Sequence, residues 1–178
     1  METHIYSSLA LPCSVIAVGA FDGVHRGHQE VIKQAVKRGK FLNAPSLVYT
    51  FDPPPRVYFQ GAYMLSSIQE KLPKLEVLGV DKVVIARFDH VYAQASAEEF
   101  IETLSKLNPL EIIVGEDFRF GRNRDGDIHL LQKYFTVRVI EPVCCSSGNR
   151  ISSTRIRQLL SRGEVQSSHS LLGWPAGE

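Results

Sequence analysis

Cysteine is scarce in this chain and does not pair: there are 3, an odd number, and Cys144 and Cys145 are neighbours. That excludes a disulfide framework and fits a reducing cytoplasm, the expected location. An excess of either charge is also missing. The 20 Lys and Arg balance 19 Asp and Glu, leaving +1. There is thus no general electrostatic case for nucleic acid or a membrane surface as partner. No apolar run approaches a membrane-spanning length. Residues 1–12 lack the basic start and apolar core of a secretory signal. Internal repeats, low-complexity tracts and long linkers are absent too. What remains is 178 residues with 44% hydrophobic and 22% charged composition. That suits one globular domain with a substantial core. Residues 1–13 are expected to be an N-terminal extension, and 14–178 a single domain.

Apolar runs of strand length alternate with helical patterns, predicting an α/β fold with a mostly parallel sheet flanked by helices. Residues 15–18 are too short an apolar run for a helix and suit the centre of such a sheet. Val31, Ile32, Ala35 and Val36 recur at helical spacing, so a helix is expected from Arg26 to Arg38, stopped by Gly39. Further strands are expected at 46–51, 82–86, 111–114 and 137–140. Ser67-Ile68-Gln69-Glu70 and Ser96-Ala97-Glu98-Glu99 are capping boxes that open helices. Pro73 sits awkwardly far inside the first of these, implying a later start or a kink. Pro53, Pro54 and Pro55 predict a rigid extended segment after the second strand, where it would wall a ligand crevice or serve as a plain loop.

Three stretches carry chemistry. In the first, a buried strand leads through Gly19, Ala20, Phe21, Asp22 and Gly23 into a helix start bearing His25 and His28. Glycines permit tight or left-handed turns, and a helix N-terminus attracts anions. Two imidazoles three residues apart share a face, which suits phosphate oxygens. The plainer alternative is a glycine-rich turn with two solvated histidines. Zinc would need further ligands at motif spacing, and none is seen. In the second, Gly115-Glu116-Asp117-Phe118-Arg119-Phe120-Gly121 alternates aromatics with charges after a strand. Phe118 and Phe120 offer stacking faces, Arg119 a phosphate fork, and Asp117 an acceptor. In the third, Ser152, Ser153 and Thr154 precede Arg155 at another helix start. This is a second anion site suited to a polyphosphate, or an ordinary capped helix. His90, His129 and His169 fit surface or capping positions. The adjacent thiols Cys144 and Cys145 fit a polar loop.

The string Gly19-Ala20-Phe21-Asp22-Gly23-Val24-His25-Arg26-Gly27-His28-Gln29 resembles the H-x-G-H signature of the nucleotidylyltransferase superfamily, in its bacterial FAD synthetase form. Later stretches agree in order. Residues 50–55 are similar to T-F-x-P-H-P, 115–121 to G-x-D-F-x-F-G, 151–157 to I-S-S-T-R-I-R and 171–173 to L-L-G. The resemblance thus spans about residues 14–173. It implies a Rossmann-like nucleotidylyltransferase fold and transfer of AMP from ATP to FMN, giving FAD and pyrophosphate. It implies ATP and FMN as substrates, Mg²⁺ as the accompanying cation, and a riboflavin kinase as the source of FMN. His25, His28 and Arg155 would be catalytic. Gly19, Ala20, Phe21, Asp22, Gly27, Ser152, Ser153 and Thr154 would hold ATP. Pro53, Pro55, Asp117, Phe118 and Phe120 would hold the flavin. The chain departs from the pattern at Pro54, which replaces the family histidine. It also ends where bifunctional members continue into a riboflavin kinase module, so riboflavin phosphorylation is not expected of it. A flavin-binding module without catalysis, and a nucleotidylyltransferase for another phosphorylated acceptor, are the alternatives.

Overall fold

The five-residue strand β2 (Ser14–Val18) is buried along its whole length, and the rest of the chain is laid out around it. In the computed structural model, which describes residues 1–5 and 9–175, six parallel strands form one sheet. The others are β1 (Glu2–Ile5), β3 (Ser46–Asp52), β4 (Lys82–Arg87), β5 (Pro109–Gly115) and β6 (Val137–Ile140), and the order is β1-β4-β3-β2-β5-β6. Alternation along β2 sends Ile16 and Val18 to one core, and Val15 and Ala17 to the other. On the first face, α5 (Ala97–Ser105) contributes Phe100, Ile101 and Leu104. On the second, α1 (Arg26–Leu42) contributes Ile32 and Ala35, and α3 (Ile68–Val77) contributes Leu75. Both faces are covered, which explains why the strands read as continuous apolar runs. A smaller third cluster joins α7 (Ser153–Ser161) to α8 (Val165–Leu172) through Ile156 and Leu171.

From β2 the chain builds outward through β3 to β4, then returns to place β5 on the other side of β2. The carboxyl ends of β2 and β5 therefore diverge at a topological switch point, where open α/β sheets bind ligands.

Several expectations needed correction. The first helix does not stop at Gly39 but runs to Leu42, where Asn43 takes the left-handed turn (φ 52°). Gly39 is there for room: a Cβ would meet the Ala44 carbonyl oxygen at 2.8 Å. The proline segment is not extended throughout. Pro54 is the N-cap of α2 (Pro55–Gln60), and Pro55 occupies its first position, where a missing N–H costs nothing. Pro73 lies within α3, which starts where its capping box puts it; full helical packing outweighs one lost bond. Residues 2–5, within the expected extension, pair with β4 as an edge strand. Two further short helices are α4 (His90–Ala93) and α6 (Ile128–Gln132).

Candidate active site

After β2, the chain makes a turn that it could not hold alone. Phe21, Gly23 and Val24 all have positive φ, at 47°, 81° and 44°. For a β-branched residue such as Val24 this is strained and persists only when its surroundings fix it. They do so from three sides. The Asp22 carboxylate, 3% exposed, accepts the Leu65 and Ser66 amides at 2.9 and 3.1 Å and pairs with Arg157. Gly23 N–H donates to Ser66 Oγ at 2.9 Å. The Val24 carbonyl accepts from Gln29 Nε2 at 3.0 Å and Trp174 Nε1 at 2.8 Å. Burial is the largest influence on Asp22 and raises its pKa, against the opposing amides and Arg157.

The turn delivers His25 as the N-cap of α1, its Nδ1 accepting the His28 amide at 3.3 Å. The two rings stack with centroids 3.5 Å apart and planes 19° from parallel. Gly27 leaves space for this, since a Cβ there would meet the His25 ring at 3.2 Å. Burial pulls the His25 pKa down to about 4, and the Arg150 charge acts in the same sense. Burial likewise holds His28 well below its usual value, with His25 and Lys71 adding. Both imidazoles are thus neutral at neutral pH. Because His25 Nδ1 accepts, its proton sits on Nε2, which is a donor. His28 Nδ1 is shielded and has no partner among the described residues.

A cleft of about 290 Å³ opens beside them at the switch point. One wall is Gly19, Ala20, Phe21, His25, Gly27 and His28. Opposite stand Gly115 to Phe118 from the end of β5, and Arg150 to Ser153 from the approach to α7. Arg150 spans the opening, pairing with Glu116 at 2.7 Å and Asp117 at 2.5 Å. Ser152 caps α7, its Oγ accepting the Arg155 amide at 3.2 Å, while Ser153 Oγ donates to the Asp22 carbonyl at 3.1 Å. The positive end of α7 therefore meets the positive end of α1 across one cleft.

Several expected site residues do other things. Asp22 gives its carboxylate to the turn. Arg155 points to the loop before α7, donating to Cys145 Sγ at 3.1 Å and to the Asn149 and Arg150 carbonyls. It orders the loop that carries Arg150. Thr154 receives a hydrogen bond from Arg56. Phe120, 6% exposed, packs in the core against Phe100 and Phe118, so the expected stacking face is already covered. Pro53 and Pro55 flank the carboxyl edge of the sheet without lining either this cleft or the next.

That second cleft, about 1130 Å³, lies on the same edge and is lined by Phe59, Phe88, Tyr92 and Phe100, with Arg87 and Arg122. Phe88 stands 5.6 Å from Phe59 and 5.5 Å from Tyr92, centroid to centroid. The chain of rings Phe100 and Phe118 links its wall to that of the smaller cleft. Of these, Phe100 was expected as a buried residue of its helix, whereas Phe59, Phe88 and Tyr92 escaped the sequence reading. Phe88 was the available signal, because it directly follows β4 at its carboxyl end. Lys71 escaped too, although it falls on the apolar stripe of α3 between Ile68 and Leu75.

Fold and site together define a parallel α/β protein in which two helix N-termini and a histidine pair converge at a sheet's switch point. The chain belongs to the FAD synthetase family, whose model matches residues 9–155. It is 57% identical over 98% of both chains to a Geobacillus thermodenitrificans protein named "Putative bifunctional riboflavin kinase/FMN adenylyltransferase". It is 39% identical to the Escherichia coli bifunctional riboflavin kinase/FMN adenylyltransferase, covering 90% of this chain and 54% of that protein. The chain thus spans about half the length of that relative. A solved structure described as a macrolide-efflux protein from Streptococcus pneumoniae superposes with a TM-score of 0.85 at 30% identity. The match covers 98% of this chain and 61% of the other. Among the described residues no helix is long and apolar enough to cross a membrane.

Proposed function

We propose that this chain transfers AMP from ATP to FMN, giving FAD and pyrophosphate, by in-line attack of the FMN phosphate on the α-phosphorus. The observation that carries this reading is the convergence of His25, His28 and the start of α7 on one small cleft. Membership of the FAD synthetase family supplies the reaction class, and the names of the Geobacillus and Escherichia relatives supply FMN as acceptor.

A phosphate monoester has its second pKa at about 6, so the nucleophile is already largely ionised at neutral pH. No general base is needed. Catalysis is then a matter of bringing polyanions together and stabilising the leaving pyrophosphate. His25 Nε2–H serves as a neutral donor to the phosphates. Gly19, Ala20, Phe21 and Gly27 border the nucleotide. Ser152, Ser153 and the start of α7 hold the β- and γ-phosphates, with Thr154 beside them. Arg150 exchanges its carboxylate partners for phosphate, and Arg155 keeps it in reach. Asp22 acts by fixing the turn. Asp117 and Phe118 lie between the two substrates. The isoalloxazine ring takes the aromatic cleft of Phe59, Phe88 and Tyr92, with Pro53 and Pro55 shaping its approach. Among the described residues no three His, Cys, Asp or Glu side chains form a metal cluster. A Mg²⁺ would accordingly be held by phosphate oxygens and water, neutralising their charge. FMN would come from a riboflavin kinase.

The test is to incubate the chain with ATP, Mg²⁺ and either FMN or riboflavin, and to separate the flavins by chromatography. FAD from FMN is the expected result, whereas riboflavin reports any accompanying kinase activity. Saturable FMN binding without FAD would replace the enzyme with a flavin-binding module. Neither product nor binding would mean a different acceptor.

A further inference from the structure

Lys71 is a buried charge that the mechanism above leaves unused. Its side chain is 1% exposed, although burying an ammonium is costly unless it is well bonded. Its Nζ donates to the Ala20 carbonyl at 2.8 Å and to Thr50 Oγ1 at 3.3 Å. Thr50 Oγ1 in turn donates to the same Ala20 carbonyl at 3.0 Å. A closed triangle therefore pins one carbonyl oxygen from the buried side, at the carboxyl ends of β2 and β3. A trans peptide sets its C=O and N–H in opposite directions. With the Ala20 oxygen held inward, the Phe21 N–H faces away from Lys71, on the side where Ala20 and Phe21 line the smaller cleft. That N–H donates to no acceptor among the described residues.

We propose that Lys71 is a positioning residue, which with Thr50 clamps the Ala20 carbonyl so that the Phe21 N–H is aimed into the cleft as a donor to the phosphoryl group under attack. The role rests on the adenylyl-transfer reading. It explains why a charge is buried here. An apolar residue of the same length would fill the space yet leave the carbonyl with the threonine alone, free to rotate with its peptide. It also explains the positive φ of Phe21, which that peptide orientation accommodates. The ammonium lies close enough to Asp22 and Asp52 to be stabilised by both, and close enough to His28 to disfavour its protonation. Burial nevertheless brings its pKa down to about 8.

The experiment compares wild type, Lys71→Met, Lys71→Arg and Thr50→Val in FAD formation, with FMN binding followed by flavin fluorescence and stability by thermal unfolding. Lys71→Met should lower kcat about 100-fold, the effect of losing one preorganised backbone or side-chain donor, while FMN affinity changes by less than about twofold. Its Tm should not fall, because replacing a buried charge with an apolar isostere is commonly neutral or stabilising. Lys71→Arg should recover most of the rate, and Thr50→Val should lose less than Lys71→Met. The kcat/KM of wild type should decline with rising pH near the free-enzyme value of about 8. Asp22, Asp52 and His28 face the ammonium, and the decline should vanish in Lys71→Met. Near-normal turnover of Lys71→Met overturns the role, as does a loss of rate matched by lost FMN binding and Tm. A wild type that makes no FAD overturns the adenylyl-transfer reading and this role with it. An active wild type beside an active Lys71→Met overturns the role alone.

Discussion

Two imidazoles stacked at 3.5 Å cannot both carry charge without strong repulsion, and burial settles the matter in favour of the neutral forms. The consequence for stability has a definite sign. In the unfolded chain a histidine binds its proton near 6.5, whereas His25 in the fold does so only near 4. Between those values the unfolded state holds more protons, so stability is lost as pH falls through that window. Each such imidazole contributes a slope of about 1.4 kcal/mol per pH unit. Urea unfolding at pH 5 and pH 7 should show the drop, and His25→Asn should reduce it. His28 faces the same cleft, and its replacement by Ala should act on the transition state. Turnover should fall by about 100-fold or more with little change in FMN affinity. A steady-state assay beside a fluorescence titration checks this, and near-normal turnover would sink the assignment.

Among the elements, α1 does most to place the site. Its N-terminus carries both histidines, and its far end is tied to β5 by Arg38, whose Nε donates to Glu111 at 2.8 Å. Its packing on the sheet depends on Gly39. In an exposed helix, Gly to Ala gains about 1 kcal/mol. At Gly39 the sign should reverse, because the new Cβ would press on the Ala44 backbone oxygen at 2.8 Å. Gly39→Ala should cost about 1–3 kcal/mol, visible as a lowered Tm. The helix was legible in the sequence from its apolar spacing, but its end was not. A glycine that permits close packing and a glycine that ends a helix are written with the same letter. The capping boxes at Ser67 and Ser96 were legible because both partners of each motif are local. The strand at residues 2–5 was not, since only its pairing with β4 defines it.

Across the whole molecule, the turn after β2 and the start of α7 meet although Asp22 and Ser153 are 131 residues apart in the chain, so the two segments must be locked together. Asp22 and Arg157 form that lock, with Ser153 Oγ bonding the Asp22 carbonyl beside it. The C-terminal Leu171-Leu172-Gly173 stretch belongs to the same lock: Gln29 Nε2 reaches the Leu172 carbonyl at 2.8 Å, and Trp174 reaches Val24. Arg157→Met would leave a carboxylate that is 3% exposed without its cation. The expected loss is about 3 kcal/mol or more, with a raised KM for ATP as α7 drifts from the turn. Thermal unfolding and ATP titration of the rate would show both together. An unchanged Tm would remove Asp22 from this role.

The sequence by itself determined the alternation of strands and helices, the buried central strand, and the histidine pair and the run of three hydroxyl residues at two helix starts. Each of these depends on neighbours within a few residues, so local periodicity and capping chemistry are enough to reveal them. Only the tertiary structure decided which polar groups remain free. Asp22, Arg155 and Phe120 had the right chemistry for ligand contact. The fold commits them respectively to the strained turn, to the loop that carries Arg150, and to the core. Lys71, Phe59, Phe88 and Tyr92 looked ordinary until the sheet brought the carboxyl ends of β2, β3, β4 and β5 to one edge. A side chain's role depends on what is left after its burial and its partners are assigned, and those partners lie up to 150 residues away along the chain.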